Sequence, residues 1–147
     1  MNHIQIIVGL GILVNKKNEI LITQRYDPGN PRIHLRWQLP GGGVEFGETV
    51  EEAVVREMKE EVSVDVTLLH HPPVIGTSIW EYPGKKIQCF LFGYMCRADG
   101  QKITIGCPET SDFAWIRPDD IEQYDCLPKA KEFIEQAKKM MKMDILH

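Results

Sequence analysis

The sequence has little of what would direct a chain to a nucleic-acid polymer, a membrane or an oxidising compartment. Basic residues do not predominate: 17 Lys and Arg stand against 21 Asp and Glu, for a net charge of −4. Polyanionic backbones recruit basic surfaces, so no nucleic-acid polymer is expected as a partner. Nor is there an apolar run of membrane-spanning length. Met1 to Val14 is too short, and it lacks the basic start and small-residue cleavage site of a secretory signal. It reads as a buried strand. The four cysteines, Cys89, Cys96, Cys107 and Cys126, form no CxxC pair and share no ligand-like spacing with histidine. So few in 147 residues do not make a disulfide framework, which points to reduced thiols and a cytoplasmic location. Repeats, low-complexity tracts and linkers are also missing. With 43% hydrophobic and 26% charged residues, what remains is a globular chain sized for one domain, 1–147.

Strand-like segments fill much of the chain. Ile4 to Val14 is rich in Ile, Val and Leu, Asn15-Lys16-Lys17-Asn18 follows as a turn, and Glu19 to Arg25 reads as a second strand, so the pair is expected to form a hairpin. Asp27 to Arg36 has the Pro, Gly and Asn content of an irregular loop, and Trp37-Gln38-Leu39 runs into Pro40-Gly41-Gly42-Gly43. Further strands are expected over Val64 to Leu69, Ile75 to Tyr82, Ile87 to Arg97 and Phe113 to Ile116, with a terminal helix over Lys129 to Met143. The fold class is therefore α/β with a mixed sheet.

One helix carries a contradiction. Thr49 and Glu52 have the S/T-x-x-E spacing of a capping box, which starts a helix running to about Val62. At about 100° per residue, Val50, Ala53, Val54 and Met58 define its core-facing stripe. Glu57 and Glu61 fall in the middle of that stripe, and Glu60 lies on its border. Two carboxylates at i and i+4 repel, and turning them inward adds a desolvation cost. A solvated Glu-rich face is one reading of such a segment. A bound cation is the other: three carboxylates offer hard oxygen ligands suited to Mg2+, with Mn2+ as a substitute, and Arg56 is placed to orient one of them.

From Gly42 to Val64 the chain reads Gly, five residues, Glu48, seven residues, then Arg56-Glu57-Met58-Lys59-Glu60-Glu61-Val62-Ser63-Val64. This resembles the Nudix box, G-x5-E-x7-R-E-U-x-E-E-x-G-U, where U is a bulky aliphatic residue. Six charged or glycine positions are in register, a chance event on the order of one in ten million per starting position. Leu39-Pro40-Gly41-Gly42, Glu45, Gly47 and the opening strands are similar to MutT-type members of that family. Past residue 64 the likeness is looser, through Phe113 to Ile121.

The resemblance implies an α/β/α sandwich around a mixed sheet, with the box (42–64) as loop, helix and loop. It implies Mg2+ on Glu57, Glu60 and Glu61, Arg56 orienting Glu57, and Glu48 supporting the metal site or the loop. Gly41, Gly42 and Arg25 are the expected substrate contacts. The implied activity is hydrolysis of a diphosphate bond in a nucleoside di- or triphosphate or a related small nucleotide. A nucleotide sugar or a dinucleotide is the alternative, and a non-catalytic nucleotide sensor is the rival of another class. A homodimer is compatible with all three. Two departures stand out. Ser63 occupies the box's second glycine position, where a left-handed backbone would cost serine roughly 1–2 kcal/mol. No asparagine follows Asn30, whereas MutT-type members read oxidised guanine with a late one. Glu109 and Asp112 are candidate acids from a later loop. Arg25 as a solvated strand end, His70-His71 as a turn, and Trp37, Trp80, Phe113 and Trp115 as core residues are the plain structural readings.

Overall fold

The apolar strands sort into two sheets. The computed structural model describes residues 1–146, with side chains through Met143. Eight strands are present: β1 (Asn2–Leu13), β2 (Ile20–Arg25), β3 (Trp37–Gln38), β4 (Gly41–Gly43), β5 (Thr67–Leu68), β6 (Val74–Tyr82), β7 (Lys85–Arg97) and β8 (Thr110–Ile116). Two helices, α1 (Val50–Val62) and α2 (Pro128–Leu146), and a 3-10 turn at Pro118–Gln123 are the other elements among the described residues. The larger sheet runs β4-β1-β7-β5, with β6 also on β7, and the smaller runs β3-β2-β8.

β1 and β2 do not form the expected hairpin. β1 pairs in parallel with β7 over its whole length, Asn2↔Lys85 to Leu13↔Cys96, while β2 pairs with β8 and β3 in the other sheet. The Asn15–Asn18 turn is real, since Asn15 N–H and Glu19 C=O are bonded at 3.0 Å. After it only the bridge Val14↔Ile20 survives before the strands part. Val64 to Leu69 likewise yields only the short β5, and the last strand begins earlier than expected, at Thr110.

The alternation of β1 separates two cores. Its even positions, with Ile12 and Val14, join Ile20, Ile22, Leu91, Met95, Phe133 and Ile134 on the α2 side. On the α1 side, Leu13 meets Leu21, Val54, Met58, Val62 and Cys96. Each helix approaches the sheet over glycines. A Cβ on Gly9 would lie 2.8 Å from Val54 Cγ2, and one on Gly11 would lie 2.5 Å from Met58 Sδ. Phe133 of α2 fills the corresponding space above Gly76 and Gly93. Bare backbone at these positions lets the helix axes come close enough to seat large side chains. The result is a mixed α/β architecture with one helix on each side.

Candidate active site

α1 begins as the capping box predicts. Thr49 Oγ1 accepts from Glu52 N–H at 3.1 Å, and Glu52 Oε1 accepts from Thr49 N–H at 3.0 Å. This fixes the phase of the helix, so Ala53, Val54 and Met58 are buried and Glu61, at 6% exposure, is buried with them.

Glu61 is held by hydrogen bonds from three strands. Its Oε2 accepts from Gly41 N–H at 2.9 Å, and its Oε1 accepts from Thr110 Oγ1 at 3.1 Å and, more weakly, Thr23 Oγ1 at 3.4 Å. Burial pushes its pKa upward, only partly offset by the Gly41 and Thr110 hydrogen bonds. Glu57 lies one turn earlier and is also raised, again chiefly by burial. A Cβ on Gly42 would lie 2.6 Å from the Glu57 carboxylate carbon, so only glycine leaves room for that carboxylate against β4.

Arg56 organises the acids on the outer side. Its Nε and one terminal nitrogen grip Glu48 in a fork at 2.7 and 2.9 Å. The other terminal nitrogen donates to Glu57 at 2.8 Å and Glu60 at 3.2 Å, and Gly43 C=O accepts a further bond at 3.0 Å. The fork holds the Glu48 carboxyl down at about 2. Glu48 also accepts from Glu45 N–H at 2.9 Å, which ties the loop before α1 to the same clamp.

The three box glutamates therefore differ. Glu61 points into the protein, Glu57 lies half-buried against Gly42, and Glu60, with 58% of its side chain exposed, rests on Arg56. Among the described residues no three acidic, histidine or cysteine side chains converge into a ready-made metal cage. The donor set still fits a hard divalent ion. Both carboxyls are raised chiefly by burial, Glu57 further by the charges of Glu60 and Glu45 and Glu61 by that of Glu57, and an incoming cation would relieve both.

A cleft of about 540 Å³ opens on the other side of β4. Its floor is the even face of β1 (Ile6, Val8, Leu10) with Ile87, Cys89 and Leu91 of β7, and Trp80 stands in its wall. Arg25, Gln38 and Gly41–Gly43 line the same cleft, in which Gly41 and Gly42 adjoin Glu61 and Glu57, so the expected Arg25, Gly41 and Gly42 share one cavity. Arg25 also pairs with Asp27 at 3.5 Å. A second groove between the start of β6 and α2 touches none of these residues.

The remaining candidates separate cleanly. Trp37 packs edge-on to Tyr124, and Phe113 and Trp115 pack against the α1-side core. His70 and His71 form a bend. Asp112 pairs with Gln24, and its Oδ1 accepts from Phe113 N–H at 2.8 Å, whereas Glu109 directly precedes Thr110, a partner of Glu61. Sequence reading missed Thr23 and Thr110, which lie 38 and 49 residues from Glu61. It also missed the loop closing α1. Ser63 is left-handed (φ 65°, ψ 33°), its Oγ donates to Thr104 C=O at 2.9 Å, and the N–H groups of Thr104 and Gly106 cap the carbonyls of Val62 and Glu61.

Comparison with known proteins covers nearly the whole chain. The NUDIX domain family matches residues 5–140. The chain is 29% identical over 133 residues to an RNA pyrophosphohydrolase of Orientia tsutsugamushi, covering 82% of this chain and 80% of that one. It is 33% identical over 96 residues to the nucleoside triphosphatase NudI of Klebsiella pneumoniae, covering 61% and 67%. Among solved structures, the MutT protein of Methanosarcina mazei Go1 superposes with a TM-score of 0.70 at 24% identity, covering 97% of this chain and 99% of that one.

Proposed function

We propose, for a chain that belongs to the Nudix family of hydrolases, Mg2+-dependent cleavage of a diphosphate bond in a small nucleotide, a nucleoside di- or triphosphate or a close derivative. One observation carries the reading: two raised carboxylates, Glu57 and Glu61, are held beside Gly41 and Gly42 at the end of an apolar-floored cleft. A diphosphate reaching that end would lie against β4, with its organic portion over Ile6, Val8 and Leu10.

Glu57, Glu60 and Glu61 are the residues proposed to hold Mg2+ or Mn2+. Such an ion would supply charge neutralisation on the transferring phosphoryl group and favour deprotonation of the attacking water. The protein's own groups position and receive. Water oxygen attacks phosphorus, the anhydride P–O bond breaks, and the departing phosphate leaves with the bonding electron pair. The water's proton passes to a site carboxylate. Glu57, hydrogen-bonded by Arg56 and set against Gly42, is the acceptor proposed for that step. Arg56 keeps Glu57 aimed at the site while it does so. Arg25 would contact a phosphate from the cleft side.

The test is a panel of nucleoside triphosphates, nucleotide sugars, dinucleotides and a 5′-triphosphorylated oligoribonucleotide, the last prompted by the RNA pyrophosphohydrolase relative. Release of phosphate or pyrophosphate is measured with and without Mg2+. Glu61→Gln should lower turnover by at least about 100-fold. Equal turnover in wild type and variant would refute the assignment. Binding of a nucleotide with no turnover of any diphosphate would instead identify a sensor.

A further inference from the structure

β6 pairs with β7 along its whole length, Val74↔Gly93 to Tyr82↔Lys85, without a bulge. Its other edge meets no strand among the described residues. Exposed edges are normally blunted by lysine, internal proline, bulges or a covering element. Val74-Ile75-Gly76-Thr77-Ser78-Ile79-Trp80-Glu81-Tyr82 has none of the first three, and prolines at 73 and 83 stand just outside it. Nine residues of unprotected edge are thus bounded at both ends.

The strand's outward face adds a pattern. Burial alternates strictly, so Ile75, Thr77, Ile79 and Glu81 are all exposed. Ile75 and Ile79 are 66% and 65% exposed, which is more than a lone surface isoleucine needs explaining for, but here both sit on an open edge. Read in either direction from Thr77, the face is the same: Ile, Thr, Ile.

We propose that this edge pairs with the same edge of a second copy of the chain, antiparallel about a two-fold axis at Thr77. In that register Ile75 lies opposite Ile79 of the second copy, Thr77 opposite Thr77, and Ile79 opposite Ile75. Facing apolar pairs and facing threonines are favourable cross-strand neighbours. The opposite face sets Gly76 against Ser78, small against small. A step to an axis at Ser78 would place Ile75 against Glu81, which discards the match. Proline 73 meets Glu81 at each end and stops the ladder, leaving Val74 to Trp80 as the paired segment. The contact is isologous, so it closes as a dimer and consumes both open edges. A foreign peptide could add to the same edge, but nothing would then require the face to be symmetric.

Sedimentation velocity at tens of micromolar tests this. Wild type should sediment at twice the 16.9 kDa chain mass. Thr77→Lys and Thr77→Glu, each placing like charges across the axis, should sediment as monomers that keep the native circular-dichroism spectrum. An equimolar mixture of the two should recover the dimer, because lysine then faces glutamate. A monomeric wild type, a Thr77→Lys variant that stays dimeric, or a mixture that fails to reassociate would overturn the proposal.

Discussion

Glu61 sets two demands against each other. Its pKa lies above the ordinary glutamate value of 4.5 because burial penalises the charge. In metal-free protein, the stability it contributes is fully present below that ordinary value and is lost as pH rises through the raised one. Glu61→Gln keeps an acceptor for Gly41 N–H and removes the charge. Metal-free Glu61→Gln should therefore melt higher than wild type at neutral pH, with the gap narrowing toward pH 4, even as turnover falls. Identical melting temperatures across that range would contradict the desolvation account. Ser63 is a second residue at which opposing effects nearly balance. Glycine would relieve roughly 1–2 kcal/mol of left-handed strain. It would also forfeit the hydrogen bond to Thr104, about 1 kcal/mol, and add unfolded-state entropy of roughly 0.5–1 kcal/mol. Ser63→Gly should shift unfolding free energy by less than about 1 kcal/mol, whereas Ser63→Ala, which loses the bond and keeps the strain, should cost about 1 kcal/mol. Chemical denaturation separates them. Ser63 was legible as a departure from the box pattern; the Thr104 contact that compensates it, 41 residues away, was not.

Between elements, two glycines hold α1 in place. A Cβ on Gly42 would have to move the Glu57 carboxylate by roughly 1 Å to reach ordinary contact. Gly42→Ala should then cost about 10²-fold in turnover with a small change in melting temperature, because misplacement and not unfolding is the defect. Gly106 is different: a Cβ there would lie 2.2 Å from the Glu60 carbonyl oxygen, against backbone that cannot swing away. Gly106→Ala should destabilise by about 1–3 kcal/mol, measured by the same denaturation. Local elements were readable because their causes are local. The Thr49/Glu52 box, the apolar stripe of α1 and the turn at Asn15–Asn18 all lie within a few residues. The β1–β2 hairpin failed because adjacency in sequence favours it, while the parallel partner that wins, β7, begins more than seventy residues later. Nothing within β1 names that partner. Its even apolar run says only that a second buried face exists.

For the molecule as a whole, the two inward carboxylates predict linkage between ion and fold. A ligand bound only by the native state adds stability with its concentration, about 2.7 kcal/mol at a hundred times its Kd. Titrating Mg2+ or Mn2+ into the metal-free protein should raise its melting temperature, and the increment should shrink in Glu57→Gln and Glu61→Gln. An increment equal in all three would place the ion elsewhere. The family and the position of the box could be read from residues 42–64. The cleft could not, because its floor, wall and rim come from β1, β6, β7 and the loop before β3, and only their packing brings them together.

Glu61 touches β4 through Gly41, β2 through Thr23 and β8 through Thr110. One negative group thus spans the gap between the larger sheet and the smaller one. Whatever draws on that carboxylate tugs on both sheets at once, so occupancy at the helix and the width of the seam between the sheets form a single mechanical coordinate. Conservative changes at Thr23 or Thr110, which hold that carboxylate in place, would be felt as altered grip on any ion that Glu61 binds.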